Sequence, residues 1–450
     1  MIRLTLILAI LISSQGTWGA CTSSLSNKIF RTVTQQKYTP GDDESLTQAN
    51  RIRDKVYLRS REIFGEMSNL IGSAQDHVYV QTWRFDHDSQ AAQYLARGIQ
   101  KLTKNRQAQR AKRPVDFWLM VNVIATQSKR EEIRKIEQYV SKYGLDNRYV
   151  RFHLGIFSAD FLGANHAKSL VIDSQTAMVT GANLTNAFNG LGHFDVGFVV
   201  EGEAAQDLAK DFVQIWRSYV KNSESPKERS QLFKGSATGS CLPILFARKR
   251  PFSQMTKSTW SNSLNHSFLA AARSAKKSID IITPSLNVRE FKDVIKDAVK
   301  RGVKIRIVVD YAYEAFKQNI ATRGGDNLSN IRSLYRSLGP YASRKYLCKV
   351  FPIRWYSENG KKRVRGTAGN SHAKFMIVDN QITYTGSANM DVQSWVNSRE
   401  IGLFIDSSSK AKKWKRSIFE PVFKRAIAIE ECGGPKEPNS DFNERDRGGR

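Results

Sequence analysis

Acidic side chains are scarce in this chain. Asp and Glu number 42 against 70 Lys and Arg, a formal net charge of +28 over 450 residues. That excess directs a protein toward polyanions, whether nucleic acid, an anionic lipid surface or lipopolysaccharide, without choosing among them. Cysteine is equally sparse. The four residues Cys21, Cys241, Cys348 and Cys432 form no CxxC pair and no Cys/His cluster with zinc spacing, which excludes a disulfide-dense scaffold and the usual structural zinc sites. In an oxidising compartment they allow three pairings, and the sequence leaves all three open. Long hydrophobic runs are missing too. The most apolar stretch, Leu4 to Ile12, is broken by Thr5 and is too short for a bilayer, which needs roughly 20 apolar residues. With Arg3 before it and small or polar residues to Ala20 after it, residues 1–20 are expected to be a cleaved export signal. The mature protein is then periplasmic or secreted, soluble or only peripherally attached. Lipid attachment at Cys21 is disfavoured, because Trp18 stands where a lipoprotein signal carries Leu or a similar residue.

The remainder is ordinary globular composition, 40% hydrophobic and 10% aromatic, enough for two large cored units. The chain repeats itself. Asn165-His-Ala-Lys-Ser-Leu-Val-Ile-Asp173 is matched by Ser371-His-Ala-Lys-Phe-Met-Ile-Val-Asp379. His166 and His372, Lys168 and Lys374, Asp173 and Asp379, and Asn183 and Asn389 are all 206 residues apart. Around the first motif the periodicity predicts strands over 77–83, 115–123, 150–157 and 196–200 and helices over 90–104, 129–143 and 203–220. Around the second it predicts strands over 279–283, 303–310, 348–355 and 401–405 and helices over 288–301, 328–338 and 410–427. Strands alternating with helices imply an α/β fold of two related halves, each a mixed β-sheet flanked by helices. The expected organisation is a polar lead-in at 21–50, halves at 51–222 and 263–431, a linker at 223–262 and a flexible tail at 432–450.

Strand alternation would aim His166 and Lys168, and likewise His372 and Lys374, to one side. Asn183 and Asn389 follow tight turns, Thr180-Gly181-Ala182 and Gly386-Ser387-Ala388. Two such sets facing each other would surround one phosphate with two imidazoles, two ammonium groups and two amides. That layout suits the charged transition state of a phosphodiester displacement. One imidazole can attack phosphorus; the other can protonate the leaving alkoxide and then activate the incoming water or alcohol. The lysines supply positive charge, so neither a metal nor another cofactor is expected.

These motifs resemble the phospholipase D superfamily, over roughly residues 51 to 430. The resemblance implies a pseudo-twofold architecture with one active site between the halves and a metal-independent, two-step route through phosphohistidine. It implies a carboxylate that orients each histidine, matched here by Asp195 and Glu400. On this reading Asp195 serves His166, the nucleophile, and Glu400 serves His372, the general acid. Asp173 and Asp379 are by resemblance mainly structural. The first half departs from the pattern: Thr180-Gly181 replaces Gly-Ser, and Asp195 stands where Glu is common. Ser387, Trp83 and Trp395 are candidate substrate contacts, as is Phe188, with core packing the alternative for the aromatics. Arg106–Arg113, Arg248–Arg250 and Lys361–Arg363 read either as solvated loops or as patches for headgroups or a nucleic-acid backbone. Two motifs in one chain resemble the lipid-acting branch. The expected activity is therefore an exported, monomeric phospholipase D or phosphatidyltransferase working at a membrane surface. A secreted nuclease and a non-catalytic polyanion-binding module are the alternatives.

Overall fold

The computed structural model describes residues 21–122, 128–159, 163–185, 193–221, 224–226, 241–252, 261–311, 324–361 and 370–436. The expected signal, Phe188, Lys362–Arg363 and residues 437–450 lie outside them. No helix among the described residues is long and apolar enough to cross a membrane.

The chain opens with α1 (Ser24–Thr34), then β1 (Glu44–Thr47), β2 (Asn50–Ile52) and β3 (Tyr57–Arg59). The first half follows: α2 (Ser60–Gly72), β4 (His77–Thr82), α3 (Gln90–Ala108), β5 (Val115–Asn122), α4 (Lys129–Ser141), β6 (Val150–Phe157), β7 (Ala164–Asn165), β8 (Ser169–Ile172), β9 (Thr176–Thr180), β10 (Phe194–Gly202) and α5 (Glu203–Tyr219). The second half repeats it: β11 (Ile244–Lys249), α6 (Ser263–Ser274), β12 (Ser278–Thr283), α7 (Arg289–Lys300), β13 (Lys304–Val309), α8 (Asn327–Leu338), α9 (Arg344–Val350), β14 (Ile353–Trp355), β15 (Phe375–Val378), β16 (Ile382–Gly386) and β17 (Ser398–Asp406). Helices α10 (Ser408–Trp414) and α11 (Glu420–Arg425), joined by a π-helical turn, and β18 (Ile427–Ala428) close the described chain.

One sheet runs β2-β10-β9-β8-β4-β5-β6 and the other β1-β11-β17-β16-β15-β12-β13-β14-β18. In each, three parallel strands (β4-β5-β6 or β12-β13-β14) continue into an antiparallel set carrying the motif. Strands β4, β5 and β12 are buried along almost their whole length, on both faces, although β4 and β12 carry polar residues among their Val, Ile and Tyr. Helices α3, α4, α6 and α8 start on Ser89, Ser128, Asn262 and Asp326, each accepting a backbone N–H of its first turn. The halves share a core: Phe198 of β10 stacks on Phe375 of β15 and meets Trp414 of α10, with ring centroids 6.3 and 4.8 Å apart.

Three expectations are corrected. The lead-in, read as polar with little sign of a core, contributes to one: α1 buries Ile29, Phe30 and Val33 in the second-half core, and β1 and β2 join different sheets. The expected linker contains β11, buried between β1 and β17. Arg248-Lys249-Arg250 is thus the end of a core strand rather than a solvated patch: Arg248 pairs with Asp43, Arg250 with Asp42, and Lys249 is fully buried. The strand expected over 348–355 shortens to Ile353–Trp355, because Ser343 caps α9 and Tyr335 donates to the Phe351 carbonyl at 2.6 Å, ending the helix there. The cysteines pair Cys21 with Cys241 and Cys348 with Cys432, and the described residues run past Cys432 to residue 436.

Candidate active site

Each His-x-Lys triplet lies in the extended segment just before a core strand, β8 in the first half and β15 in the second. That segment pairs with the acid-bearing strand of the opposite half. β7 lies parallel to β17, and the His166 N–H donates to the Arg399 carbonyl at 2.9 Å. By the same rule Phe194 of β10 bridges to Ser371, and the His372 N–H donates to the Phe194 carbonyl at 2.9 Å. The backbone exchange fixes which carboxylate reaches which imidazole. His166 Nδ1 is 2.8 Å from Glu400 Oε1, and His372 Nδ1 is 3.2 Å from Asp195 Oδ2. This reverses the pairing expected from sequence, in which each acid served the histidine of its own motif. All four side chains are buried, together with Lys168 and Lys374, whose Nζ atoms donate to the carbonyls of His166 and His372.

Burial sets the electrostatics. It would raise Glu400, but His166, Lys168 and the Ser387 hydroxyl outweigh it and hold this carboxyl down at about 2. Asp195 lacks so strong a set of partners. Burial pushes it up to about 7 against the pull of Lys374, the Val196 N–H, Lys168 and the Gly181 N–H. Burial lowers both imidazoles, His372 well below the ordinary range because Lys374, Lys168, His166 and His193 add to it. Lys168 is also driven well down by burial. An ionised carboxylate only accepts, so His166 donates from Nδ1 and its Nε2 carries a lone pair.

The remaining expected residues divide. Asn389 donates through Nδ2 to Asp391 at 3.0 Å, whereas both amide atoms of buried Asn183 have no hydrogen-bond partner among the described residues. Trp83 presents an edge to His166, ring centroids 5.7 Å apart, and is only half-buried, as a pocket wall would be. Two expected substrate contacts are corrected. Ser387 sits behind Glu400, donating to Oε2 at 2.5 Å. Trp395 is fully buried in the core against Phe268, because it lies in the π-helical turn Gln393–Asn397 with its ring turned inward. Asp173 accepts the N–H groups of Gln75, Asp76 and His77 at 2.8–2.9 Å, and Asp379 those of Lys276, Lys277 and Ser278 at 2.7–2.8 Å. Each thereby ties its motif's turn to the start of a parallel strand. No group of metal-ligating side chains occurs among the described residues.

A family model described as cardiolipin synthase, PLD-like domain, matches twice, at residues 67–216 and 268–421. The chain belongs to the phospholipase D superfamily. It is 23% identical over 395 residues to a cardiolipin synthase of Clostridium perfringens, covering 85% of this chain and 72% of that one. It is 23% identical over 374 residues to a cardiolipin synthase of Staphylococcus aureus, covering 82% and 67%. Its fold matches the crystal structure of phosphatidylserine synthase from Haemophilus influenzae Rd KW20, with a TM-score of 0.61 at 14% identity over 91% of this chain and 94% of that one. The chain is thus a phospholipase D-superfamily enzyme with both domain copies in one polypeptide.

For this phospholipase D-like site, the sequence marked Gly181 only as a turn residue departing from Gly-Ser, and Lys249 only as part of a basic run. A Cβ on Gly181 would lie 2.6 and 2.9 Å from the Asp195 carboxylate oxygens and 3.0 Å from Lys374 Cδ. The departure from Gly-Ser in the first half therefore makes room for its acid, and its pairing with the unusual Asp was the available signal. Lys249, opposite Glu400 in the β11–β17 register, donates to the Ser398 carbonyl. Burial lowers it to about 7 although Glu400 and Asp42 oppose the shift. Its sequence signal was a basic run that directly follows the apolar residues 244–247.

Proposed function

We propose that this enzyme is an exported phospholipase D or phosphatidyltransferase that cleaves or exchanges phospholipid headgroups through a covalent phosphohistidine. The observation that carries this reading is the pair of buried His–carboxylate dyads from opposite halves, at 2.8 and 3.2 Å, with a lysine in each motif. His166, oriented by ionised Glu400, attacks phosphorus through Nε2 while the bond to the headgroup oxygen breaks, and His372 gives that oxygen its proton. His372 then takes a proton from the incoming water or alcohol, whose oxygen attacks phosphorus as the P–N bond breaks and His166 is restored. The amide of Asn183 is suited to a non-bridging oxygen. The cardiolipin synthases it resembles support a phospholipid substrate, and the +28 charge suits an anionic lipid surface. Export is supported by the signal-like residues 1–20 and by the absence of free cysteines among the described residues. The Cys21–Cys241 bond argues against a lipid on Cys21. With both motifs in one chain, a monomer suffices.

The test offers mixed phospholipids in one tube and plasmid DNA in another, both with EDTA. Phosphatidic acid or an exchanged phospholipid is expected. Nicked plasmid alone would replace this reading with a nuclease, and binding without turnover would leave only a polyanion-binding module. His166→Ala and His372→Ala are each expected to abolish turnover in folded protein. With a p-nitrophenyl phosphodiester, which needs no acid to expel its leaving group, His372→Ala is expected to accumulate label on His166 and His166→Ala to accumulate none. Label on His372 of the His166→Ala protein would reverse the roles.

A further inference from the structure

The residue before Glu400 is an arginine that does not reach solvent. Arg399 is 1% exposed, and its guanidinium crosses from β17 into the first half. Nη2 bonds Asp211 on α5, also 1% exposed, while Nη1 reaches Gln81 Oε1 on β4 at 3.0 Å and Asn165 Oδ1 at 3.2 Å. Asn165 immediately precedes His166, and the Arg399 carbonyl accepts the His166 N–H. Arg248 approaches the other Asp211 oxygen at 3.9 Å. One side chain thus joins the segment carrying the nucleophile, the strand carrying its carboxylate and the framework behind both.

The related position in the first half, immediately before Asp195, is Phe194, which stacks on Tyr356 with centroids 5.8 Å apart. There an apolar contact suffices. Buried ion pairs seldom add stability over well-packed apolar replacements, so one retained on a single side of a pseudo-symmetric site invites a role in geometry. The side that has it also has the shorter histidine–carboxylate bond, 2.8 against 3.2 Å.

We propose that Arg399, anchored by Asp211, is a positioning residue that sets the His166–Glu400 pair for attack and so governs the rate of histidine phosphorylation. The proposal rests on the phospholipase D reading above. In-line attack needs the Nε2 lone pair aimed at phosphorus, and a misplacement of about 1 Å costs roughly 100-fold in rate. If β17 is free to slide relative to Asn165, the carboxylate no longer fixes the imidazole ring.

The experiment uses the full chain and the burst of p-nitrophenolate from a p-nitrophenyl phosphodiester, with thermal unfolding measured on the same samples. Arg399→Met alone leaves Asp211 buried with only Arg248 near it, 3.9 Å away, and is expected to lower the unfolding midpoint. Arg399→Met with Asp211→Leu removes both charges and is expected to recover most of the midpoint. Its burst rate is expected to stay about 100-fold below wild type, with KM within about threefold. A burst rate that recovers together with stability would make the pair purely structural and overturn the proposal. Should the double variant fail to fold, Asp211→Asn keeps the shape and removes the charge. There an intermediate loss of burst rate with unchanged KM is expected, and a wild-type rate overturns the proposal equally. Absence of label on His166 in His372→Ala, which cannot clear the intermediate, would instead sink the functional reading, independently of the Arg399 and Asp211 variants.

Discussion

Two carboxylates with the same task are held at widely different proton affinities. Glu400, held down at about 2, is ionised across the neutral range; Asp195, pushed up to about 7 by burial, shares its proton with His372, itself held well down. Such a pair titrates as a unit, and its protonated form supplies the general acid. The expected kcat/KM therefore falls as pH rises through about 7. In Asp195→Asn, His372 faces Lys374, Lys168 and His166 without a carboxylate, so it loses its proton earlier. The falling limb is expected to move acidward by about 1 pH unit or more; a limb that stays in place would detach it from this pair. Stability responds with its own sign. Asp195 binds its proton more tightly folded than unfolded, so its contribution is complete below its ordinary value of 3.8 and is lost as pH rises from there through 7. Glu400 does the reverse: its contribution is present above 4.5 and lost as pH falls toward 2. Denaturation curves across pH 4 to 8 are expected to show Asp195→Asn gaining stability relative to wild type as pH rises. Gly181→Ala probes the same acid sterically. Its Cβ must displace the Asp195 carboxylate, and turnover of a natural phospholipid is expected to drop about 10- to 100-fold. Labelling of His166 by a p-nitrophenyl substrate should persist, because Glu400 is untouched; loss of that labelling would show a wider disruption. At this scale, the 206-residue offset made the histidines, lysines and asparagines legible. The exchange of carboxylates was not, since it depends on β7 and β17 pairing across the halves, a contact no local spacing encodes.

Elements were legible where a strong period coincided with length. β5, β6, α3 and α7 fall close to their sequence limits because long apolar or amphipathic runs decide them. Short elements inside polar stretches were not. α1 shows Leu25, Ile29, Phe30 and Val33 among Ser, Asn, Lys, Arg and Thr, and β11 is six residues after a Ser- and Gly-rich stretch. Both are made by tertiary contacts: α1 by packing on α6, β11 by closing the gap between β1 and β17. The N-terminal helix is therefore expected to carry weight in stability and none in chemistry. Phe30, 1% exposed in the second-half core, is expected to cost about 3–5 kcal/mol on replacement by Ala, measured by urea denaturation. The kcat of the folded variant should match wild type. A cost below about 1 kcal/mol would mean that α1 is only loosely docked.

Across the whole molecule, a shared core and crossed strand pairing make the two halves one unit, and two disulfides brace the second half from both ends of the described chain. Cys21–Cys241 ties the segment before α1 to the approach to β11 across a sequence separation of 220; Cys348–Cys432 ties α9 to the segment after β18 across 84. A covalent loop removes conformations from the unfolded chain, and the benefit grows slowly with loop length, reaching about 4–5 kcal/mol for loops of this order when the native geometry is unstrained. Neither bond includes a residue of the histidine–carboxylate dyads. Oxidised protein is therefore expected to melt several degrees above protein treated with reductant, while turnover well below the midpoint is the same for both. Cys21→Ser with Cys241→Ser should lower the midpoint somewhat more than Cys348→Ser with Cys432→Ser, since it opens the longer loop. Reductant should then have about half its effect on either double variant. Bonds of this kind persist only where thiols are kept oxidised, so the comparison also bears on export. If the freshly purified protein titrates four free thiols and reductant leaves its midpoint unmoved, the disulfides are not part of the working molecule. The case for an exported enzyme would then lose its structural support.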